Sequence, residues 1–142
     1  MTETQISLVK KTWKLLRSID PILIGGVFYG KLFLDAPQLK ALFRHPVEAQ
    51  SGKLISMLSM IVSRLHCLDE ITGDINRLAV GHIQYGVRDA HYTAVGNALL
   101  WTLEQGLGKD WDEQTKLAWT ACFQTLANSM KMAARVPGTD PL

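Results

Sequence analysis

The amino-acid sequence predicts an all-α fold of about seven or eight helices joined by short connections. Apolar residues recur at three- and four-residue steps along nearly the whole chain, as one buried face of a helix requires. No segment keeps the period-two alternation of a half-buried strand, and no internal repeat is visible. A length of 142 residues fits one domain, which is large enough to bury a core without a disulfide or a structural metal.

Seven apolar stripes define the predicted helices. Thr2 and Gln5 have the spacing of a capping box before the first stripe, and Asp20 with Pro21 has the residue types that begin a helix before the second. Asp112 is likewise a residue type that begins a helix, and it precedes the last stripe. Residues 44–48 are predicted to form a connector between two helices. The stripes lie at about residues 6–16, 23–34, 36–43, 54–65, 71–85, 92–103 and 119–133. The second stripe includes Leu23, Val27, Phe28 and Tyr29.

The composition excludes several classes of protein. Fifteen basic and thirteen acidic residues leave a formal charge of +2, which gives no strong electrostatic case for nucleic acid or an anionic membrane as a partner. No run of about 20 apolar residues could span a bilayer. The segment MTETQISLVKK carries charges where a signal peptide would be apolar, so we expect a cytoplasmic protein with Cys67 and Cys122 reduced.

His82 occupies a position in the otherwise apolar stripe of the fifth helix, which includes Ile75, Leu78 and Tyr85. Helix geometry turns its imidazole toward the core, where an unpaired polar group costs about 1–3 kcal/mol. One interpretation is a core histidine that a neighbouring carbonyl or hydroxyl satisfies. The other is a metal ligand, most simply one axial bond to a haem iron. No His, Cys or carboxylate follows at i+3 or i+4, so a zinc site made of protein ligands alone is not supported.

Three segments resemble the globin family in order and in spacing. They are VFYGKLFLDAPQLKALF at residues 27–43, QSGKL at residues 50–54 and LAVGHIQYGVRDAHYTAVGNALL at residues 78–100. The chain is most similar to bacterial single-domain globins related to the haem domain of flavohaemoglobins, and the resemblance covers about residues 4–135. It implies a globin fold over residues 1–135, a flexible tail over residues 136–142, and haem b as the cofactor.

The resemblance implies which residues hold the haem from the proximal side. His82 matches the proximal iron ligand, whose other ring nitrogen needs a hydrogen-bond acceptor. Leu78 would supply either that acceptor, through its main-chain carbonyl, or side-chain packing against the porphyrin. Phe43 matches the ring that packs on the haem, while Tyr92 and Val95 match the haem-binding start of the helix after the proximal turn.

The resemblance also implies a polar distal side. Tyr29 matches the distal tyrosine of bacterial globins, and Gln50 matches the distal position at which many of these relatives carry glutamine. Both side chains would donate hydrogen bonds to bound oxygen and slow its release. Leu54 would be the apolar residue beside the ligand. Lys53 either faces a haem propionate or is a solvated surface lysine.

Tight and reversible oxygen binding, for storage or transport, is the function that the resemblance favours. Nitric oxide dioxygenation with a separate reductase is an alternative, since no flavin or nicotinamide domain follows in this sequence, and haem-based gas sensing is another. Nitric oxide and carbon monoxide would be further ligands. Phe123 and Ala134 stand where flavohaemoglobins carry a tyrosine and a glutamate that make the proximal imidazole more basic, which counts against a peroxidase. His45 would be solvated or a sixth iron ligand.

Overall fold

A computed structural model describes residues 1–43, 45–84 and 91–135, and the side chains among them except those of residues 80–84 and 133–135. This part of the chain is helical and contains no strand, so the predicted all-α class is confirmed. Three 3-10 helices connect the α-helices, at Pro37–Leu42, Leu65–Ile71 and Gly108–Asp110. The α-helices are α1 (Glu3–Leu16), α2 (Pro21–Asp35), α3 (Val47–Ser63), α4 (Thr72–Gln84), α5 (His91–Leu107) and α6 (Glu113–Arg135).

Three helices begin at the capping residues that the sequence predicts. The Thr2 hydroxyl accepts from the Gln5 amide at 3.1 Å, and the Gln5 side chain accepts from the Thr2 amide at 3.0 Å, which completes the capping box of α1. Asp20 accepts from the amide two residues ahead at 3.0 Å, with Pro21 in the first turn of α2. Asp112 accepts from the amide three residues ahead at 2.7 Å, and this hydrogen bond lowers the pKa of its carboxyl.

Two details of the sequence prediction are wrong. The connector predicted at residues 44–48 is shorter, because α3 already begins at Val47, directly after Pro46. Leu23 and Val27 belong to the apolar stripe of α2, yet their side chains are 64% and 40% exposed. The cause is that α2 is apolar on almost every side, so that only one of its apolar faces can be buried.

The close crossing of α2 and α3 places two predicted site residues next to each other. A Cβ atom built on Gly25 would lie 1.7 Å from the Ser51 Oγ, so only a residue without a side chain fits at this contact. Ser51 is fully buried, and its hydroxyl donates to the Val47 carbonyl at 2.6 Å. Tyr29 follows Gly25 by one turn, and Gln50 precedes Ser51, so both lie beside the crossing.

The other main contacts between helices involve α6 and α2. Helix α6 packs against α1 and α4, while α2 packs against α3 and α5. Within the described residues, no helix is long and apolar enough to cross a bilayer. Residue 85, the predicted end of the fifth stripe, and the predicted tail at residues 136–142 lie outside the described residues.

Candidate functional site

A cavity of about 400 Å³ lies between the helices, and side chains from α2 to α6 line it. Most of these side chains are apolar, so the cavity is lined by the hydrophobic core. A volume of this size is typical of a site for a small molecule or cofactor. Apolar members of the lining from five different elements are Leu32, Leu39, Met57, Leu99 and Leu126.

Aromatic rings from α2 and from the chain after the first 3-10 helix form one corner of the cavity. The ring of Tyr29 lies edge-on to Phe43, with centroids 5.4 Å apart, and edge-on to Phe28 at 4.9 Å. Phe33 stacks on Tyr29 at 5.9 Å and meets Phe43 at 5.3 Å. These contacts fix the Tyr29 ring from three sides, so its hydroxyl is held in place beside the cavity.

The Tyr29 hydroxyl is the polar group of this corner. It donates to the main-chain carbonyl of Gln50 at 3.5 Å, across the α2–α3 crossing. The Tyr29 side chain is only 5% exposed, and burial raises the pKa of its phenol to about 12, since a phenolate would lose its hydration there. Tyr29 is therefore a neutral hydrogen-bond donor at any physiological pH.

Helix α3 contributes the other three distal residues that the sequence predicts. Gln50, Lys53 and Leu54 all line the cavity, as expected for positions i, i+3 and i+4 on one helix face. Gln50 and Leu54 are half-buried, whereas Lys53 is exposed. Because Lys53 is both exposed and part of the lining, it lies at the opening of the cavity.

Helices α4 and α5 form the opposite wall and carry the predicted proximal residues. Leu78, Tyr92 and Val95 line the cavity, and the ammonium of Lys131 lies 5.5 Å from the centroid of the Tyr92 ring. His82 lies in α4, one turn after Leu78, and its side chain is outside the described residues. The side chain of Ala134 is outside them as well, while Phe123 lines the cavity from α6.

The structure adds residues to the site that the sequence did not single out for it. Arg77 lines the cavity, is exposed, and forms an ion pair with Asp74 on the same helix. Its position directly before Leu78 is the one sequence signal that could have indicated it. Cys122 lines the cavity from α6, and His91 lines it from α5.

The lining fits a flat, apolar cofactor with acidic groups at one edge. Apolar walls would bury a porphyrin, while Lys53 and Arg77 at the opening present the cations that two propionates would pair with. Tyr29 adds a neutral hydrogen-bond donor to this lining. Among the described residues, no three His, Cys, Asp or Glu side chains come together as a candidate metal site.

Two known proteins are similar to this chain over most of its length. The flavohemoprotein of Vibrio cholerae is 29% identical over 130 residues, which are 89% of this chain and 33% of that protein, so the chain spans about a third of that relative. Leghemoglobin-1 of Vicia faba is 29% identical over 143 residues and is covered over 98% of its length, against 93% of this chain.

Solved structures show the same fold. A bacterial globin from Campylobacter jejuni superposes with a TM-score of 0.81 at 24% identity, covering 93% of this chain and 95% of the other. An engineered carbene transferase, made from a proposed nitric oxide dioxygenase of Rhodothermus marinus, superposes with a TM-score of 0.83 at 25% identity, covering 93% and 92%. The sequence profile of the globin family matches residues 26–130, which include both walls of the cavity. The chain therefore belongs to the globin family.

Proposed function

We propose that this globin holds haem b through His82 and binds oxygen tightly and reversibly, for storage or transport. The observation that carries the proposal is the cavity itself. It combines apolar walls with the neutral Tyr29 hydroxyl at one side and helix α4 at the other.

The proximal side would be arranged by α4. When bound, haem supplies the ferrous iron at which diatomic gases such as oxygen, carbon monoxide and nitric oxide bind. His82 would provide a neutral imidazole to this iron, and the main-chain carbonyl of Leu78, one turn earlier, would hold its other ring nitrogen. Leu78 also lines the cavity, so its side chain would pack against the macrocycle.

On the distal side, the chain controls polarity and access. The apolar wall around Leu54 and Phe43 would keep water away from the gas, and the hydroxyl of Tyr29 and the amide of Gln50 would donate hydrogen bonds to it. A hydrogen bond to a group that carries charge contributes about 1.5–3 kcal/mol, so each donor slows release by roughly ten- to hundredfold. Lys53 and Arg77 would pair with the propionates at the opening.

An absorption spectrum of the purified chain tests the haem site. We expect a Soret band in the wild type and a bound oxygen complex after reduction in air. The ferrous form of His82→Gly should have a different absorption spectrum from the wild type. Added imidazole should restore the wild-type spectrum, because free imidazole can replace the missing ligand. His66→Ala is the matched control, since His66 contacts Lys10 at 3.0 Å on the surface. An unchanged spectrum in His82→Gly would exclude His82 as the ligand.

Nitric oxide dioxygenation is the second candidate function. It is favoured by the 29% identity to a flavohemoprotein and by the similarity to the engineered protein from Rhodothermus marinus. The same Tyr29 and Gln50 donors would hold the oxygen with which nitric oxide reacts to give nitrate. A separate reductase would then have to return the iron to the ferrous state.

Turnover separates the two functions. The oxygenated chain should be mixed with nitric oxide while a flavin-dependent reductase and NADH are supplied, and nitrate should be measured over time. One equivalent of nitrate per haem, without further production, supports oxygen binding as the function. Sustained nitrate production at a rate well above that of a leghemoglobin control supports the dioxygenase.

A further inference from the structure

Helix α2 exposes a continuous apolar face on the side opposite the cavity. We call this the outer face of α2 and define it as Ile22, Leu23, Gly26, Val27, Gly30 and Leu34. The exposed fractions of its large side chains are 50% for Ile22, 64% for Leu23, 40% for Val27 and 75% for Leu34. All six residues are exposed, while Phe28 on the opposite side of the helix is buried.

No charged side chain interrupts this face. The structure describes every residue from Ile22 to Leu34, and Lys31 is the one charged residue among them. Lys31 is not part of the outer face. Its ammonium forms an ion pair with Asp35 at 3.2 Å and lies 4.9 Å from the centroid of the Trp101 ring. Trp101 on α5 is itself 42% exposed and lies beside the Lys31 ammonium, so it borders the outer face of α2.

The outer face is low at its centre and carries larger side chains at both ends, so two copies could approach closely at the centre. Gly26 and Gly30 lie one turn apart, and a Cβ atom built on either would meet no atom within 4 Å, so they leave a shallow groove at the centre. Larger side chains stand at both ends, with Leu23 at one and Leu34 at the other. Two antiparallel copies would place Gly26 against the second copy's Gly30, and Leu34 against the second copy's Ile22. Helix axes can approach closely where both surfaces carry glycine.

The exposed area is sufficient for a specific pair. The exposed fractions of the outer face and Trp101 correspond to on the order of 500 Å² per copy, or about 1,000 Å² in a symmetric pair, which is the lower bound for a biological interface. A patch of this size is in the upper part of the range of about 300–600 Å² for the largest apolar patch of a typical monomer, and such patches are often functional. We propose that two copies of this chain associate through the outer face of α2 as an antiparallel, two-fold symmetric dimer.

Sedimentation equilibrium of the full, haem-loaded chain tests this proposal. The weight-average mass should rise with concentration from that of one haem-loaded chain, whose polypeptide is 15.8 kDa, toward twice that value. Leu34→Glu and Leu23→Glu should each raise the dissociation constant by about tenfold or more, because each places two carboxylates in a water-poor contact. Leu117→Glu is the matched control, since Leu117 is 55% exposed on α6, outside the outer face, and should leave the dissociation constant unchanged.

A cross-linking experiment tests the orientation. In a Cys67→Ser background, the double variant Ile22→Cys/Leu34→Cys should form an intermolecular disulfide under mild oxidation. Either single variant should form far less, because position 22 faces position 34 of the second copy in an antiparallel pair. Efficient cross-linking of both single variants would contradict the antiparallel arrangement.

Three results would overturn the proposal. The first is a monomer at every concentration up to the millimolar range, and the second is a dimer that both glutamate variants leave intact. The third is a monomer that sediments with phosphatidylcholine vesicles and loses this binding in Leu34→Glu, which would assign the outer face to a lipid surface instead. The oxygenated spectrum should be the same in Leu34→Glu as in wild type, so failure here is distinguishable from failure of the proposed haem function.

Discussion

The Tyr29 hydroxyl donates to the main-chain carbonyl of Gln50 at 3.5 Å, which joins α2 to α3 beside the cavity. At this distance the hydrogen bond is at the long limit and contributes little energy. The Tyr29 proton can therefore be redirected to a ligand in the cavity at small cost. Because the acceptor belongs to the main chain, it remains in place whichever side chain occupies position 50.

Tyr29→Phe should increase the rate of oxygen dissociation by about ten- to hundredfold. The substitution keeps the ring that Phe28, Phe33 and Phe43 contact and removes only the donor, which is worth about 1.5–3 kcal/mol toward a ligand that carries charge. Displacement of oxygen by carbon monoxide in a stopped-flow instrument measures the rate. An unchanged rate would show that the Tyr29 hydroxyl does not reach the oxygen.

Gln50→Leu should also speed oxygen dissociation, because it removes the amide donor while the main-chain acceptor of Tyr29 stays. In the double variant with Tyr29→Phe, the activation free energy for oxygen dissociation should fall by less than the sum of its decreases in the two single variants. The reason is that both donors bind the same ligand and compete for it. The same stopped-flow measurement on the four proteins gives the coupling energy. Strict additivity would show that the two donors act independently.

Gly25→Ala should lower the free energy of unfolding by about 1–3 kcal/mol, the usual cost of overpacking. Its Cβ would lie 1.7 Å from the Ser51 Oγ and 2.9 Å from the Ser51 Cα, so α2 and α3 must move apart. Gly52→Ala is the matched control, because no atom lies within 4 Å of its added Cβ and alanine is the better helix former by about 1 kcal/mol. Urea unfolding compares the variants.

Adding Ser51→Gly to Gly25→Ala should restore part of the lost stability, since it removes the two closest atoms of the clash. Comparing Gly25→Ala with the double variant also tests whether the crossing holds the site together, because separation of α2 and α3 would move Tyr29 away from Gln50. If Gly25→Ala unfolds at the same urea concentration as wild type, the crossing is not as tight as the distances indicate.

Thr12→Val should lower the free energy of unfolding by about 1–3 kcal/mol because it leaves a buried donor unpaired. The Trp119 indole N–H donates to the Thr12 hydroxyl at 2.9 Å, and both side chains are at most 3% exposed. Thr102→Val is the control, since Thr102 is equally buried and its hydroxyl donates to the Ala98 carbonyl of its own helix. Equal losses in the two variants would contradict a special role for the α1–α6 hydrogen bond.

The sequence predicts features that depend on neighbours within the same helix. The caps at Thr2 and Asp20 are determined by residues two or three positions away, and both form as expected. The exposure of a side chain, in contrast, cannot be predicted from its neighbours in the sequence. Leu23 and Phe28 are both strongly apolar, and only the packing of α2 on α3 and α5 decides which of the two is buried. Arg77 was missed for the same reason, since its place at the cavity depends on how α4 docks.

The stability of the chain should fall as the pH rises from 9 toward 12, partly because of Cys122. Burial raises the pKa of the Cys122 thiol from 9.0 to about 12, so the unfolded chain loses this proton first. The folded state then binds more protons than the unfolded state, and the free energy of unfolding falls by at most about 1.4 kcal/mol per pH unit for this group. Below pH 9 the contribution is complete and constant.

Cys122→Ala should flatten this slope between pH 9 and 10, while the contribution of Tyr29, whose pKa rises from 10.0 to about 12, should persist above pH 10. Urea unfolding at intervals of one pH unit measures the slope. Ile61→Val is the control, because it removes a methyl group from the core without removing a titratable group, so it should lower stability equally at every pH. A slope that is as steep in Cys122→Ala as in wild type would mean that the buried thiol does not keep its proton, and the alkaline loss would then belong to other groups.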